Sequence, residues 1–389
     1  MKNKKYLKLL MMLITVFSTA SITVYLTGFS LKPQSSIGIY SDTLYRKIGK
    51  SNSYSTVNAM ENNQPDTYKS DGNNSSQKEV SSYSDGVSSE NAEPLSLSQN
   101  LSGINEICVY NHKTDSVFVM PLEEYVASVV VAEMPASSPS QALKAQAVAV
   151  RTLAVNYILD NDKSEHKGAD ICTDSGHCQA FADISEFEKK YGEKGTAIFE
   201  NAQNAANATK GLILLYDNMP IVAVFHASSG DSTASSKEVW GGDLAYLVSV
   251  ETSEIIDGEL KDQVINEITF TRQELLNKFS NAGIEGLETY KDSPFHLWIS
   301  GKELTESGRV KSINIAGTKI SGTKLRSILG LKSADFEISF GDDSVTFITK
   351  GYGHGVGMSQ LGAVAMAKNG ESFYSILSKY YPGTVIGII

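Results

Sequence analysis

Apolar and polar positions divide the chain into three zones. An apolar run from Leu9 to about Phe29 follows four lysines, Lys2, Lys4, Lys5 and Lys8. Its length is close to the ~20 residues of a bilayer-spanning helix. The basic flank sets the N-terminus in the cytoplasm and everything downstream outside. Residues 1–30 are therefore expected to be an uncleaved membrane anchor. The competing reading, a cleaved signal peptide, is opposed by the long run and by the lack of a crisp small-x-small cleavage site within a short apolar core. Between Ser51 and Asn100 stand 13 serines and 8 asparagines, and no Phe, Trp, Ile or Cys. Such a stretch buries too little apolar surface to offset its chain entropy, so residues 31–100 are expected to form a disordered extracytoplasmic linker.

From Leu101 onward the pattern is that of a folded unit, residues 101–389. Leu122, Tyr125, Val126 and Val129 recur at helical spacing behind Pro121 and the acids Glu123 and Glu124, which suit a helix start. Pro135 ends that helix. Ser138, Pro139 and Gln141 read as N-cap, first residue and capping box of a second helix, whose alanine-rich body runs to Leu159. Met219 to Ala227, "MPIVAVFHA", reads as an apolar strand leading into a polar loop. From about 251 to 347 a helix near "TRQELLNKFSNAG" and the strands "VKSINIAG", "FEISF" and "VTFITK" predict a separate lobe. The helix "SQLGAVAMAK" is closed by Asn369 and Gly370. The fold class predicted is α+β: helices packed on a mostly antiparallel sheet, with a substrate cleft and an additional α+β lobe.

Composition narrows the chemistry. With 389 residues, 41% hydrophobic and 20% charged, the chain is of globular type, and its net charge of -10 argues against nucleic acid as a partner. Four glycines around His354 (351, 353, 355, 357) form no G-x-G-x-x-G, and "GTKISGTK" has the wrong order for a phosphate loop. They predict a tight backbone that brings His354, Ser359 and Gln360 to the cleft. Glu133 falls at the corner between the two buried helices, where lost solvent raises a carboxyl pKa toward that of a neutral-pH proton donor. The alternative is a structural carboxylate capping a neighbouring helix. Lys144, Gln146 and Arg151 lie on the second helix as candidate substrate contacts, with a solvated face as the alternative. His226, Ser228, Ser229 and Thr233 end the apolar strand, where sugar-binding groups are often mounted; His226 is otherwise a core-edge histidine bonding a carbonyl. Trp240 is core filler or a stacking platform.

One cluster has chemistry of its own. In "HKGADICTDSGHCQAF", two imidazoles and two thiols (His166, His177, Cys172, Cys178) make a tetrahedral zinc set, provided the chain turns at Asp174-Ser175-Gly176. Four ligands would make such an ion structural. A Cys172–Cys178 disulfide, suited to an extracytoplasmic compartment, is the rival. Cys108 is left over as a buried thiol.

"LEEYVASVVVAEMPASSPSQALKAQAVAVRT", "FHASSGDSTASSKEVWGG" and "GYGHGVGMSQLGAVAMA", in that order, resemble the signature blocks of the stage II sporulation protein D family. The resemblance spans 101–389; Leu361 stands where an aromatic is expected and Ala227 where Ser or Thr is usual. It implies a lytic transglycosylase that cuts between N-acetylmuramic acid and N-acetylglucosamine in peptidoglycan glycan strands, leaving 1,6-anhydromuramyl ends during forespore engulfment. The family's catalytic acid maps onto Glu133. The resemblance further implies strands stripped of stem peptides as substrate, the stage II sporulation proteins P (an amidase) and M (a membrane protein) as partners, and a mother-cell engulfing membrane facing the septum as location. A single carboxylate suffices for such a reaction, whereas ordinary glycosidases need two; Glu238 and Asp231 are the candidates for a second. A zinc-dependent hydrolase of wall peptides and a non-catalytic wall-binding scaffold remain as the other function classes.

Overall fold

The structure is a computed structural model that describes Leu95–Ser96, residue 101 and residues 103–389, except 136, 161 and 261–263. The expected anchor and nearly all of the linker lie outside the described residues. Among the described residues no helix is long and apolar enough to cross a membrane.

Helix α1 (Leu122–Glu133) and helix α2 (Ser140–Leu159) form the centre. Eight residues of α1 are buried, and fourteen of the twenty in α2, so α2 has no wet face and runs through the core. Its alanines allow this, because short side chains let neighbouring elements approach closely. Around it pack α1, the helices Glu193–Ala208, Gln360–Lys368 and Phe373–Tyr380, and the strand Leu212–Tyr216. Met134 ends α1 in an extended conformation (φ -121°, ψ 144°), as the residue before Pro135 must. The capping box expected at Ser138 does not form. α2 starts at Ser140 behind Pro139, without a side-chain cap, and Gln141 Oε1 instead accepts the Phe373 N–H at 2.9 Å. A long-range partner has captured the group that local spacing assigned to the helix start.

Among the described residues, strands form six small sheets, mostly antiparallel, and the architecture is α+β. Ser116–Pro121, Glu106–Asn111 and Ile171–Cys172 make one; Leu95–Ser96, Val385–Ile388, Leu212–Tyr216 and Met219–Pro220 another. The expected strand from Met219 to Ala227 is broken. Only Met219–Pro220 and Phe225–His226 are in ladders, because Val224 N–H turns back to Val222 O, though all four residues between are buried. Phe225–His226 pairs in parallel with Met358–Ser359, joining the second and third sequence blocks.

A second core gathers residues from Phe270 to Phe347, including Trp298, Leu325 and Val345. It lies among the helices Arg272–Asn281 and Gly322–Leu329 and two three-stranded antiparallel sheets. This lobe is pinned to the main core: Arg309 donates to Ser232 O (2.8 Å), and Ser307 N–H donates to Glu238 Oε1 (2.9 Å).

Candidate active site

Glu133 is the last residue of α1 and is half-buried. Its carboxyl receives two neutral donors: Ala180 N–H on Oε1 at 2.9 Å and the Gln360 Nε2 amide on Oε2 at 3.3 Å. Burial lifts its pKa above the ordinary carboxylate value, and the two bonds offset that rise only in part. The two donors arrive from opposite sides of the fold, one from the segment after the His/Cys cluster and one from the first residue of helix Gln360–Lys368.

Residues 179–182 strap across α1. Tyr125 O–H donates to Gln179 Oε1 (2.9 Å), Phe181 stacks on the Tyr125 ring (centroids 6.0 Å, 24°), and Ala182 N–H donates to Ser128 O (3.2 Å). Tyr125 and Glu133 are eight residues apart, so they share one helix face. No sequence signal gave Tyr125 or Gln179 a role beside the acid; the structure shows them next to the Ala180 that bonds it.

The strap begins at Cys178, and there the four sequence-predicted ligands converge. Ligand atoms of His166, Cys172, His177 and Cys178 all lie within 4.8 Å of one another. Individual separations are 3.6 Å for Cys172 Sγ–Cys178 Sγ, 3.4 Å for Cys172 Sγ–His177 Nδ1, 3.3 Å for His177 Nδ1–Cys178 Sγ, and 3.2 Å for both Cys178 Sγ–His166 Nε2 and His166 Nε2–His177 Nδ1. Metal–nitrogen and metal–sulfur bonds of about 2.0–2.3 Å at tetrahedral angles put ligands about 3.3–3.8 Å apart; these five separations approach that range and the sixth pair, Cys172 Sγ and His166 Nε2, lies within 4.8 Å, so the set could hold one ion. Asp174 makes the turn: its carbonyl accepts from His177 and Cys178 N–H (3.0 and 2.8 Å), and its Oδ1 from Gly176 N–H (2.8 Å). Glu165 Oε2 lies 3.3 Å from His177 Nε2, which leaves Nδ1 for the cluster. Bonds from Cys178 and His177 hold the Cys172 thiol below the usual thiol pKa, as a metal ligand requires. Both cysteines are free thiols and their sulfurs are not at bonding distance, so the disulfide alternative is not present.

The second and third blocks meet on a buried carboxylate with no sequence signature. Glu254, 1% exposed, accepts from Ser228 Oγ (2.5 Å), Ser229 N–H (2.6 Å), Gly230 N–H (3.1 Å) and Ser359 Oγ (2.5 Å). Ser228, Ser229 and Ser359 are all buried and committed to this hub. His226 Nδ1 lies 3.0 Å from Val356 O and its Nε2 2.5 Å from Ser229 Oγ; burial pushes its pKa down to about 3. His354 Nε2 bonds Phe225 O (3.0 Å) and its Nδ1 accepts from Val356 N–H (3.0 Å); burial holds it well below the usual imidazole value. Both rings are thus neutral cross-links of backbone. Trp240 is in the main core, its ring 5.1 Å from that of His354. Thr233 is fully buried, with Val250 N–H on its Oγ1 at 2.9 Å.

On α2 the three candidates differ. Lys144 is half-buried and forms no ion pair among the described residues. Gln146 is fully buried, and among the described residues neither end of its amide has a partner. Arg151 is fully buried and lies against Glu123, ten residues from Glu133 on α1; it also donates to Ala206 O (3.0 Å) and Leu212 O (3.1 Å). The two carboxylates considered as partners for Glu133 are engaged elsewhere. Glu238 accepts from Ser307 and Ser235 N–H, and Asp231 pairs with Lys350 at 2.6 Å.

Fold and site together define an α+β protein in which a desolvated acid is held between a cluster of two histidines and two cysteines and a buried serine–carboxylate hub. The stage II sporulation protein (SpoIID) family model matches residues 110–216. Stage II sporulation protein D of Bacillus subtilis (strain 168) is 35% identical over 280 residues, 72% of this chain and 78% of that protein. Its Bacillus amyloliquefaciens counterpart is 34% identical over 278 residues, 72% and 77% of the two chains. A Bacillus subtilis "amidase enhancer" is 30% identical over 303 residues, covering 65% of this chain and 39% of that one. The chain belongs to the stage II sporulation protein D family, a family of sporulation proteins.

Proposed function

We propose that this chain is a lytic transglycosylase of peptidoglycan glycan strands, with Glu133 as acid and then base. The observation that carries the reading is a desolvated carboxyl bonded only by neutral groups, with Glu238, Asp231 and Glu254 each committed elsewhere. In the acid form, Ala180 N–H keeps Oε1 as an acceptor, so the transferable hydrogen belongs on Oε2. Donated to the glycosidic oxygen, it releases the N-acetylglucosamine hydroxyl. The carboxylate then takes the proton of the muramyl 6-hydroxyl as that oxygen bonds to its own anomeric carbon. The sugar loses one leaving group and closes one ring, Glu133 ends protonated as it began, and no water enters. The Gln360 amide can serve both states, offering its N–H to the carboxylate and, turned over, its carbonyl to the acid.

The His/Cys cluster suits zinc, held by His166, Cys172, His177 and Cys178. Such an ion would neutralise the thiolates and tie the strap down; four protein ligands leave no position for water, which weighs against a zinc-dependent wall hydrolase. The family resemblance extends the proposal to forespore engulfment, to strands stripped of stem peptides, and to stage II sporulation proteins P and M as partners. The "amidase enhancer" name of one relative accords with an amidase nearby. The long apolar N-terminal run and its basic flank support a single-pass anchor with the folded part outside; the family resemblance adds a location facing the septum.

Mass analysis of products from purified wall strands, with and without stem peptides, tests the reading. Anhydro ends, lost in Glu133→Gln, are expected; reducing ends one water heavier mean hydrolysis. A Glu133→Gln chain that functions normally would leave only the scaffold.

A further inference from the structure

The Glu254 hub has no part in the proton transfers, yet a buried carboxylate is an expensive way to join loops. Removing such a group from water costs several kcal/mol unless its bonds replace the solvent, and apolar packing usually serves stability as well. Here, among the described residues, no lysine or arginine bonds it. Arg309 is near enough to feel its charge but spends its bonds on Ser307, Ser229 and Ser232. Four neutral donors saturate the carboxylate instead. What these donors share is direction. Three come from consecutive residues of the second block, Ser228, Ser229 and Gly230. The fourth, Ser359, is the N-cap of helix Gln360–Lys368, and its Oγ also accepts Gly362 N–H at 3.1 Å. The next residue, Gln360, is the one that touches Glu133.

We infer that Glu254 is a positioning residue for the acid: it fixes the start of this helix so that the Gln360 amide meets Oε2 of Glu133. The margin is small. Gln360 Nε2 already lies 3.3 Å from that oxygen, near the limit of a hydrogen bond. The helix start has few other holds near Gln360: Leu361 N–H on Ala227 O (3.0 Å), Met358 N–H on Val224 O (3.2 Å) and the parallel pairing of Ser359 with His226. Two of these three tie it to the same block that Glu254 grips, so freeing Glu254 loosens both sides of the joint at once. Gln360, not Glu254, makes the contact with the reacting group.

The inference rests on the lytic reading, and the two fail differently. With the full-length chain, turnover and KM are measured on stripped glycan strands by release of anhydro ends, for the parent, Glu254→Gln, Gln360→Ala and the double variant. Glu254→Gln puts an NH2 group among donors and breaks the hub while keeping its shape. A loss of about ten- to a hundredfold in kcat is expected for each single variant, the size of an effect from a misplaced group, with KM within twofold. The double variant is expected to be no slower than Gln360→Ala alone, because Glu254 acts through Gln360. If Glu254→Gln does not fold, Ser359→Ala takes its place in the cycle with the same expectation. Full kcat in the hub variant, or losses that multiply in the double, overturns the inference while the parent's anhydro product stands. A parent that yields no anhydro ends fails the lytic reading itself, and the positioning role falls with it.

Discussion

Replacing Glu123 by alanine would strip the carboxylate from a guanidinium that touches no water. Arg151 is fully buried in α2, and Glu123, in the first turn of α1, meets it with both oxygens: Nε at 2.9 Å on Oε1, Nη2 on Oε2. The remaining guanidinium hydrogens go to Ala206 O, Leu212 O and, at 3.5 Å, Thr209 Oγ1. These bonds tie α1, α2, helix Glu193–Ala208 and strand Leu212–Tyr216 together at one point. Alanine at 123 would leave the guanidinium charge buried beside two carbonyls, and Gly211 N–H would lose its 3.2 Å bond to Oε1. Breaking one side of a buried ion pair costs about 3–5 kcal/mol. In a unit this large, each kcal/mol moves the midpoint by about 2–4 °C, so a fall of roughly 6–20 °C is expected. Thermal unfolding followed by circular dichroism gives the shift; strand cleavage assayed well below the midpoint should keep its parental KM. An unchanged midpoint with a raised KM would refute this, since it would mean that Arg151 leaves its pocket to bind glycan.

Two further outcomes follow from the site. Burial raises Glu133 above its unfolded pKa of about 4.3, so the folded chain holds this proton where the unfolded chain has lost it. The resulting cost is absent below the unfolded value, grows as pH rises through the folded value, and is constant above; Glu133→Gln should match the parent's stability at pH 4 and exceed it at pH 8, and a variant less stable at pH 8 would contradict the assignment. Removing the proposed zinc with a chelator, or substituting Cys172→Ser, should lower the melting temperature, expose Cys178 to alkylation and forfeit part of the ~10 kcal/mol that structural zinc can supply. A metal-free native protein whose thiols stay unreactive throughout would count against the ion.

What could be read from the chain depended on how local each signal was. The corner that desolvates Glu133 is written in one stretch, with Pro135 forcing Met134 out of the helix and alanines opening the path for α2. The His/Cys set was legible because its members fall within thirteen residues and the turn between them is marked by Asp174 and Gly176. Gln141 shows the opposite case. Its spacing from Ser138 spelled a capping box, but Phe373 N–H, 232 residues away, takes its oxygen. Arg151 carried the same ambiguity, since a basic residue on a helix reads alike whether it faces a substrate or a carboxylate one helix over. Glu254 offered no spacing at all, because its four donors lie 24 to 105 residues away.

These placements also explain why one carboxyl needs so much of the fold. In the proposed mechanism, a group that gives and then takes a proton has to be poorly solvated yet fixed in direction, and no single element supplies both. α1 brings Glu133 to its end, where the helix no longer shields it. The strap from Cys178 contributes a backbone N–H that cannot rotate, which decides the oxygen that stays an acceptor. The helix opening at Gln360 contributes an amide that can turn, which lets the other oxygen alternate between states. The rigid donor is anchored by the His/Cys cluster and by Tyr125 on Gln179; the adaptable one is anchored by Glu254. Loosening the first should change which oxygen holds the hydrogen, and loosening the second should change how readily it leaves.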